Sequence, residues 1–174
     1  MSKRSIAVQV RQTISVWSDS SSTKGLGIIY ISHSQPRSQS YSAFAIPISS
    51  NPSLRNENIN SQEMRAVEQA LLYWGPRWKG KRVLLHKDNH RVVYGIANGT
   101  TCGGPVQVLR RCWLWATEND LELEARWITT KENALADALS RLDYNRITDL
   151  ALQPIHPAAN LQQLGSLQIG RAHV

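Results

Sequence analysis

A chain of 174 residues, 41% hydrophobic and with six tryptophans, can bury a real core, which argues against wholesale disorder and predicts one domain with a tail. Its 20 Lys and Arg against 13 Asp and Glu leave a net charge of +7, and a basic surface favours a polyanionic partner, nucleic acid being the commonest. No apolar stretch approaches transmembrane length and Met1-Ser2-Lys3-Arg4 opens no apolar secretory segment, so no membrane partner is expected; Cys102 and Cys112 need not pair, which fits an intracellular setting, cytoplasm or nucleus.

Residues 11–19 alternate as a strand, Thr13-Ile14-Ser15-Val16-Trp17, that ends at Asp19. Ser20 to Thr23 make a polar turn, and Gly25 to Ile31 read as the next strand. Residues 33–40 form a Ser/Gln/Pro loop, and Tyr41 to Ile48 alternate as a third strand, so the first three strands form an antiparallel meander. After a polar loop over 49–58, Asn60 is the expected N-cap of a helix in which Met64, Val67, Ala70, Leu71 and Trp74 recur at helical spacing until Gly75-Pro76. Residues 81–87 form a strand, 89–98 a short helix with Val92, Val93 and Ile96 on one face, and 105–117 a helix with Pro105 near its first position. Residues 121–128 alternate as a fifth strand and 132–142 form a last helix, whose Leu135, Leu139 and Leu142 can face the sheet.

The order βββαβααβα predicts an α/β domain over 11–142, a five-stranded mixed sheet with helices on its faces. Residues 1–10 are an N-terminal extension. Residues 143–174, Leu/Gln/Pro-rich with little periodicity, read as linker or tail. Ile169-Gly170-Arg171-Ala172-His173-Val174 matches one translated frame of a common sequencing-library adapter. Those six residues are therefore expected to be adapter-derived, with the natural chain continuing past about Ser166.

Four acids sit at the ends of different elements. Each has an ordinary explanation. Asp19 could serve a turn, Glu63 a capping box with Asn60, Asp88 the cap of the next helix, and Asp137 a solvated helix face. Those readings do not explain why all four fall where one sheet could gather them. In this element order the first and fourth strands can lie side by side, bringing Asp19 and Asp88 to one edge beneath the helix that carries Glu63. Gathered carboxylates make a hard, all-oxygen site suited to Mg²⁺.

The stretches around these acids are Trp17-Ser18-Asp19-Ser20-Ser21, residues 59–67 (INSQEMRAV), Leu85-His86-Lys87-Asp88-Asn89 and residues 132–141 (ENALADALSR). Over roughly residues 12–142 they resemble the ribonuclease H domain of retrotransposon polyproteins, in particular gypsy-type and tyrosine-recombinase-type elements. The resemblance implies a ribonuclease H-like fold and cleavage of the RNA strand of an RNA/DNA hybrid. It also implies a reverse-transcriptase polymerase module in the same polyprotein. Asp19, Glu63, Asp88 and Asp137 would hold two Mg²⁺ ions, or Mn²⁺ in their place. Two such ions about 3.5–4 Å apart can activate water, stabilise the leaving oxygen and relieve charge at the phosphorus. The chain departs from the pattern between Trp127 and Asn133, where many ribonucleases H carry a His; Lys131 stands there as an electrostatic substitute.

Lys79, Lys81, Arg82, Lys87, Arg91, Arg110 and Arg111 suggest a basic face. Of these, Lys87, Arg91, Arg110 and Arg111, with Lys131, are the expected phosphate contacts; Ser20, Asn60 and Asn89 would add hydrogen bonds to sugar or phosphate. Trp74, Trp78, Trp113 and Trp115 are expected in the core rather than stacked on bases. His86 and His90 share no face, which argues against zinc, and Gly25-x-Gly27 lacks the rest of a dinucleotide fingerprint. Two alternatives stand beside the enzyme. One is a worn copy that grips hybrid without cutting. The other is a DDE transposase or integrase core, which expects its Glu on a late helix, whereas here the Glu comes second.

Overall fold

The computed structural model describes residues 10–35 and 38–151. The expected N-terminal extension lies outside the described residues but for its last, and the adapter-like hexapeptide lies wholly outside them. Strands β1 (Thr13–Ser21), β2 (Gly25–Gln35), β3 (Ser38–Pro47), β4 (Arg82–Lys87) and β5 (Glu122–Trp127) form one sheet in the order β3-β2-β1-β4-β5. β1 to β3 are antiparallel neighbours, and β1, β4 and β5 run parallel.

β1 is the central strand, and Ile14 to Ser21 are all buried because both sheet faces are covered. Its alternation divides the core. Ile14 and Val16 join Leu26, Ile28, Val83 and Leu85 under α1 (Ile59–Trp74) and α3 (Pro105–Glu118). Trp17 joins Ile29, Ile31 and Leu139 on the opposite face, under α4 (Ala134–Ser140). Gly27 permits that second packing: a Cβ there would lie 2.3 Å from the carbonyl oxygen of Ala136 and 2.5 Å from the nitrogen of Ser140. What reads in sequence as a strand glycine is thus the place where α4 lies directly on the backbone of β2.

Several local features differ from the sequence reading. The stretch read as a loop over 33–40 is mostly strand, because β2 runs to Gln35 and β3 starts at Ser38. The N-cap of α1 is Asn58, whose side chain accepts from the Ser61 N–H, so Asn60 lies inside the helix and Glu63 is free of any capping box. Both asparagines precede the apolar run, and the extended backbone falls at Asn58. The helix α2 (His90–Asn98) is capped by Asn89, which accepts from the amides of Arg91 and Val92, leaving Asp88 outside the cap.

Residues read as linker form a further helix, α5 (Tyr144–Ala151), after Leu142 turns the chain at φ 57°. Asp143 accepts from the Arg146 amide at its start, Ile147 is buried, and Leu150 packs on the second core. At eight residues α5 is shorter than the span over which helical periodicity is usually read. Among the described residues no helix is long and apolar enough to cross a membrane.

Candidate metal centre

Because β1 and β4 are parallel neighbours, Asp19 near the end of one and Asp88 just past the other reach the same edge of the sheet. The second turn of α1 brings Glu63 over that edge. The ligand oxygens of Asp19, Glu63 and Asp88 all lie within 4.8 Å of one another. Neighbouring groups orient each carboxylate. Ser140 Oγ lies 2.7 Å from Asp19 Oδ2, the Ser20 amide donates to Glu63 Oε1 at 3.2 Å, and Asn133 Nδ2 donates to Asp88 Oδ1 at 3.3 Å. Asn133 also donates to the Ser18 carbonyl, tying the approach to α4 to β1.

Burial pushes the Asp19 carboxyl up to about 7, helped by the negative charge of Glu63 and, less, of Asp88; Ser140 and Lys87 oppose the rise. Glu63 and Asp19 are buried, and Asp88 is half-buried. The cation nearest this charge is Lys87, which is 0% exposed. Its ammonium makes a close ion pair with Glu63 Oε2 and donates to the Ser18 carbonyl at 2.8 Å and Ser18 Oγ at 3.1 Å.

The fourth expected ligand is placed differently. Asp137 is on α4, but its Oδ1 accepts from Arg141 Nε at 2.6 Å and its Oδ2 from Arg146 NH1 at 2.5 Å. It stands outside the group formed by the other three acids. Arg141 follows one turn later on the same face of the helix, and Arg146 comes from the unforeseen α5, so both oxygens are engaged by cations.

The expected nucleic-acid contacts divide. Arg91, Arg110 and Lys131 are exposed. Lys87 is not a surface cation: strand alternation turns it inward on the same face as Val83 and Leu85, where Glu63 and Ser18 take its three donors. Arg111 is paired with the buried Glu68, which also holds Arg65. Ser20 is buried and supports Glu63 through its amide. Asn89 caps α2 and donates to Asn60 Oδ1 at 3.0 Å, so these two brace each other at the cluster's rim. Trp74 and Trp78 are buried, and Trp113 and Trp115 pack against the core, as expected. His86 stacks on Trp17 and His90 on Trp127, two separate sites. Asn133, Ser140 and Arg146 were not singled out from sequence; the motif around Asp137 contains the first two, but nothing in it distinguishes a ligand from its support.

The strand order and the helices on both faces decide the architecture, and solved structures share it. The chain aligns with a ribonuclease H1 isolated from compost by a metagenomic approach (LC11), at 17% identity over 77% of this chain and 98% of that one, with a TM-score of 0.54. It aligns with ribonuclease H1 from the halophilic archaeon Halobacterium salinarum at 16% identity over 79% and 98%, TM-score 0.53. The fold is the ribonuclease H-like fold. The LC11 enzyme has also been solved in complex with an RNA/DNA hybrid, and that structure aligns at 17% identity over 72% and 92%, TM-score 0.50. No family model and no curated protein matches the chain.

The acidic cluster fits a divalent metal on its donors. Three carboxylates converge with ligand oxygens within 4.8 Å of one another, close enough to share an ion, and oxygen ligands of this kind suit Mg²⁺ and Mn²⁺. Asn133 Oδ1 and Ser20 Oγ, in residues bonded to the cluster, are buried with no hydrogen-bond partner among the described residues. Polar oxygens left open beside an acidic cluster suit the water that Mg²⁺ retains.

Proposed function

We propose that the protein is a metal-dependent endonuclease that hydrolyses the RNA strand of RNA/DNA hybrids, working beside a reverse-transcriptase polymerase module in a retroelement polyprotein. The convergence of Asp19, Glu63 and Asp88 at one sheet edge carries this reading. The hybrid as substrate is supported by the complex of the structurally similar LC11 enzyme, and the retroelement setting by the sequence stretches around the acids.

Asp19, Glu63 and Asp88 would hold two Mg²⁺ ions, or Mn²⁺, with Asp137 completing the set once it turns from Arg141 and Arg146. Bound there, the ions supply an activated water and charge relief at the scissile phosphate. The chain's own groups do the positioning. Ser140 orients Asp19, the Ser20 amide Glu63 and Asn133 Asp88, which keeps the three carboxylates gathered at one place. Exposed Arg91, Arg110 and Lys131 would meet the phosphates of the duplex.

A second reading is a hybrid-binding module that does not cut, favoured by the engagement of Asp137 with two arginines. One experiment separates them. Labelled hybrid, duplex RNA and duplex DNA are incubated with the protein in Mg²⁺, in Mn²⁺ and in EDTA. The nuclease reading expects RNA-strand cleavage in hybrid alone, and only with metal. Binding without cleavage in either metal would establish the second reading.

A further inference from the structure

Both oxygens of Glu63 are engaged: Oε1 by the Ser20 amide and Oε2 by Lys87. By contrast, Asp19 Oδ1 and Asp88 Oδ2 accept no hydrogen bond from the described residues. Lys87 has three donors and three acceptors, Glu63 Oε2, Ser18 O and Ser18 Oγ, so its ammonium is fully satisfied without water. Its side chain is fully buried at the end of β4. Asp137 is not at hand to add negative charge, being paired with Arg141 and Arg146. Formal charges then balance in one way: three carboxylates match one divalent ion together with one ammonium. A second divalent ion would bring the site to a formal +2 with the ammonium in place, +1 once it withdraws and neutral only when Asp137 also turns in. Like charges at such range in low dielectric repel strongly, so the ammonium opposes the second ion.

We propose that Lys87 is a built-in cation that competes with a divalent ion for Glu63. The cluster takes its first ion on Asp19 and Asp88 with Lys87 in place, and a second only as the ammonium leaves Glu63. The inference rests on the metal-dependent reading of this cluster. Occupancy of the second position then depends on the metal concentration, and Lys87 sets how much metal is needed. Lys87 is here a positioning residue that acts through Glu63.

The test is Mn²⁺ binding, followed by calorimetry and by electron paramagnetic resonance, on the parent chain and on Lys87→Thr, Lys87→Met and Asp88→Asn. The parent should bind two ions in separate steps, one strong and one weak. Lys87→Thr should tighten the second step by about tenfold or more with little change in the first, because the competing charge is gone. Lys87→Met keeps the length of the stem and should do the same if the smaller side chain fails to fold. A crystal of the parent at low Mn²⁺ should show one anomalous peak with the Lys87–Glu63 pair intact. Two equal binding steps in the parent, unchanged in both Lys87 variants, would overturn the proposal and leave the metal site standing. Unaltered binding in Asp88→Asn, or no binding in any chain, would instead overturn the metal reading on which it rests.

Discussion

In chelator, replacing Asp19 with Asn should make the protein more stable above neutral pH, although it removes a residue the site needs. The folded chain holds the Asp19 carboxyl at about 7, against 3.8 for the free group, chiefly because burial and Glu63 oppose its charge. Between about pH 4 and pH 7 the folded state therefore keeps a proton that the unfolded chain releases. The stability linked to this group is present below pH 4 and is lost as pH rises to about 7. At 1.36 kcal/mol per pKa unit the full loss is on the order of 4 kcal/mol. Relaxation of the surrounding site offsets part of this, so a gain of about 1–3 kcal/mol for the variant at pH 8 is the working figure. Asn retains an oxygen that can accept from Ser140, and it carries no charge at any pH. Thermal melts in EDTA from pH 4 to pH 8 should show near-equal melting temperatures at the acid end. The variant should lead by roughly 3–10 °C at the alkaline end. Adding Mg²⁺ at pH 8 should raise the parent and leave the variant unmoved, since only a bound ligand stabilises. A parent at least as stable as the variant at pH 8 in EDTA, or a gap constant across the range, would refute the reasoning.

Other elements of the structure can be tested in the same way. Gly27→Ala places a Cβ 2.3 Å from the Ala136 carbonyl, where ordinary contact begins at 3.4 Å, so α4 must retreat by roughly 1 Å. A loss of about 2–3 kcal/mol in urea unfolding is expected, and an unchanged midpoint would mean that α4 does not lie on β2. Ile147→Ala should cost about 2 kcal/mol by removing the anchor of α5; a neutral result would return residues 144–151 to the linker. Replacing the exposed Arg91, Arg110 and Lys131 together with Ala should flatten the salt dependence of hybrid affinity by roughly three phosphate contacts. A slope equal to the parent's would show these side chains to be merely solvated.

Much of the site was legible because strand alternation and strand ends are local signals. Asp19 and Asp88 follow apolar runs that alternate or lie buried, and the element order allows those two strands to be neighbours, as they are. Side-chain direction at a strand end is harder to read. Lys87 closes an apolar strand beside Asp88 and looks like a surface charge, yet its parity with Val83 and Leu85 sends it inward to Glu63. That parity is present in the sequence, but lysine is seldom fully buried unless paired, and its partner Glu63 lies far away in the chain. Asn58 and Asn60 differ as caps only in backbone conformation, which residue type does not encode. Asp137 shows a different limit. Its motif predicts where it sits on α4, but its partners include Arg146, nine residues on, in a helix of only eight residues, too short for its pattern to stand out in sequence.

The most direct test of the account is single-turnover cleavage of an RNA/DNA hybrid by the parent and by Asp88→Asn in Mg²⁺. Asp88 is half-buried at the rim, and Asn preserves its size and its bond to Asn133, so the variant should fold and bind hybrid as the parent does. Its cleavage rate should fall by about two orders of magnitude or more, the scale lost when a group that stabilises charge in the transition state is removed. A variant that cuts the RNA strand as fast as the parent would show that the three-carboxylate cluster is not where the chemistry occurs.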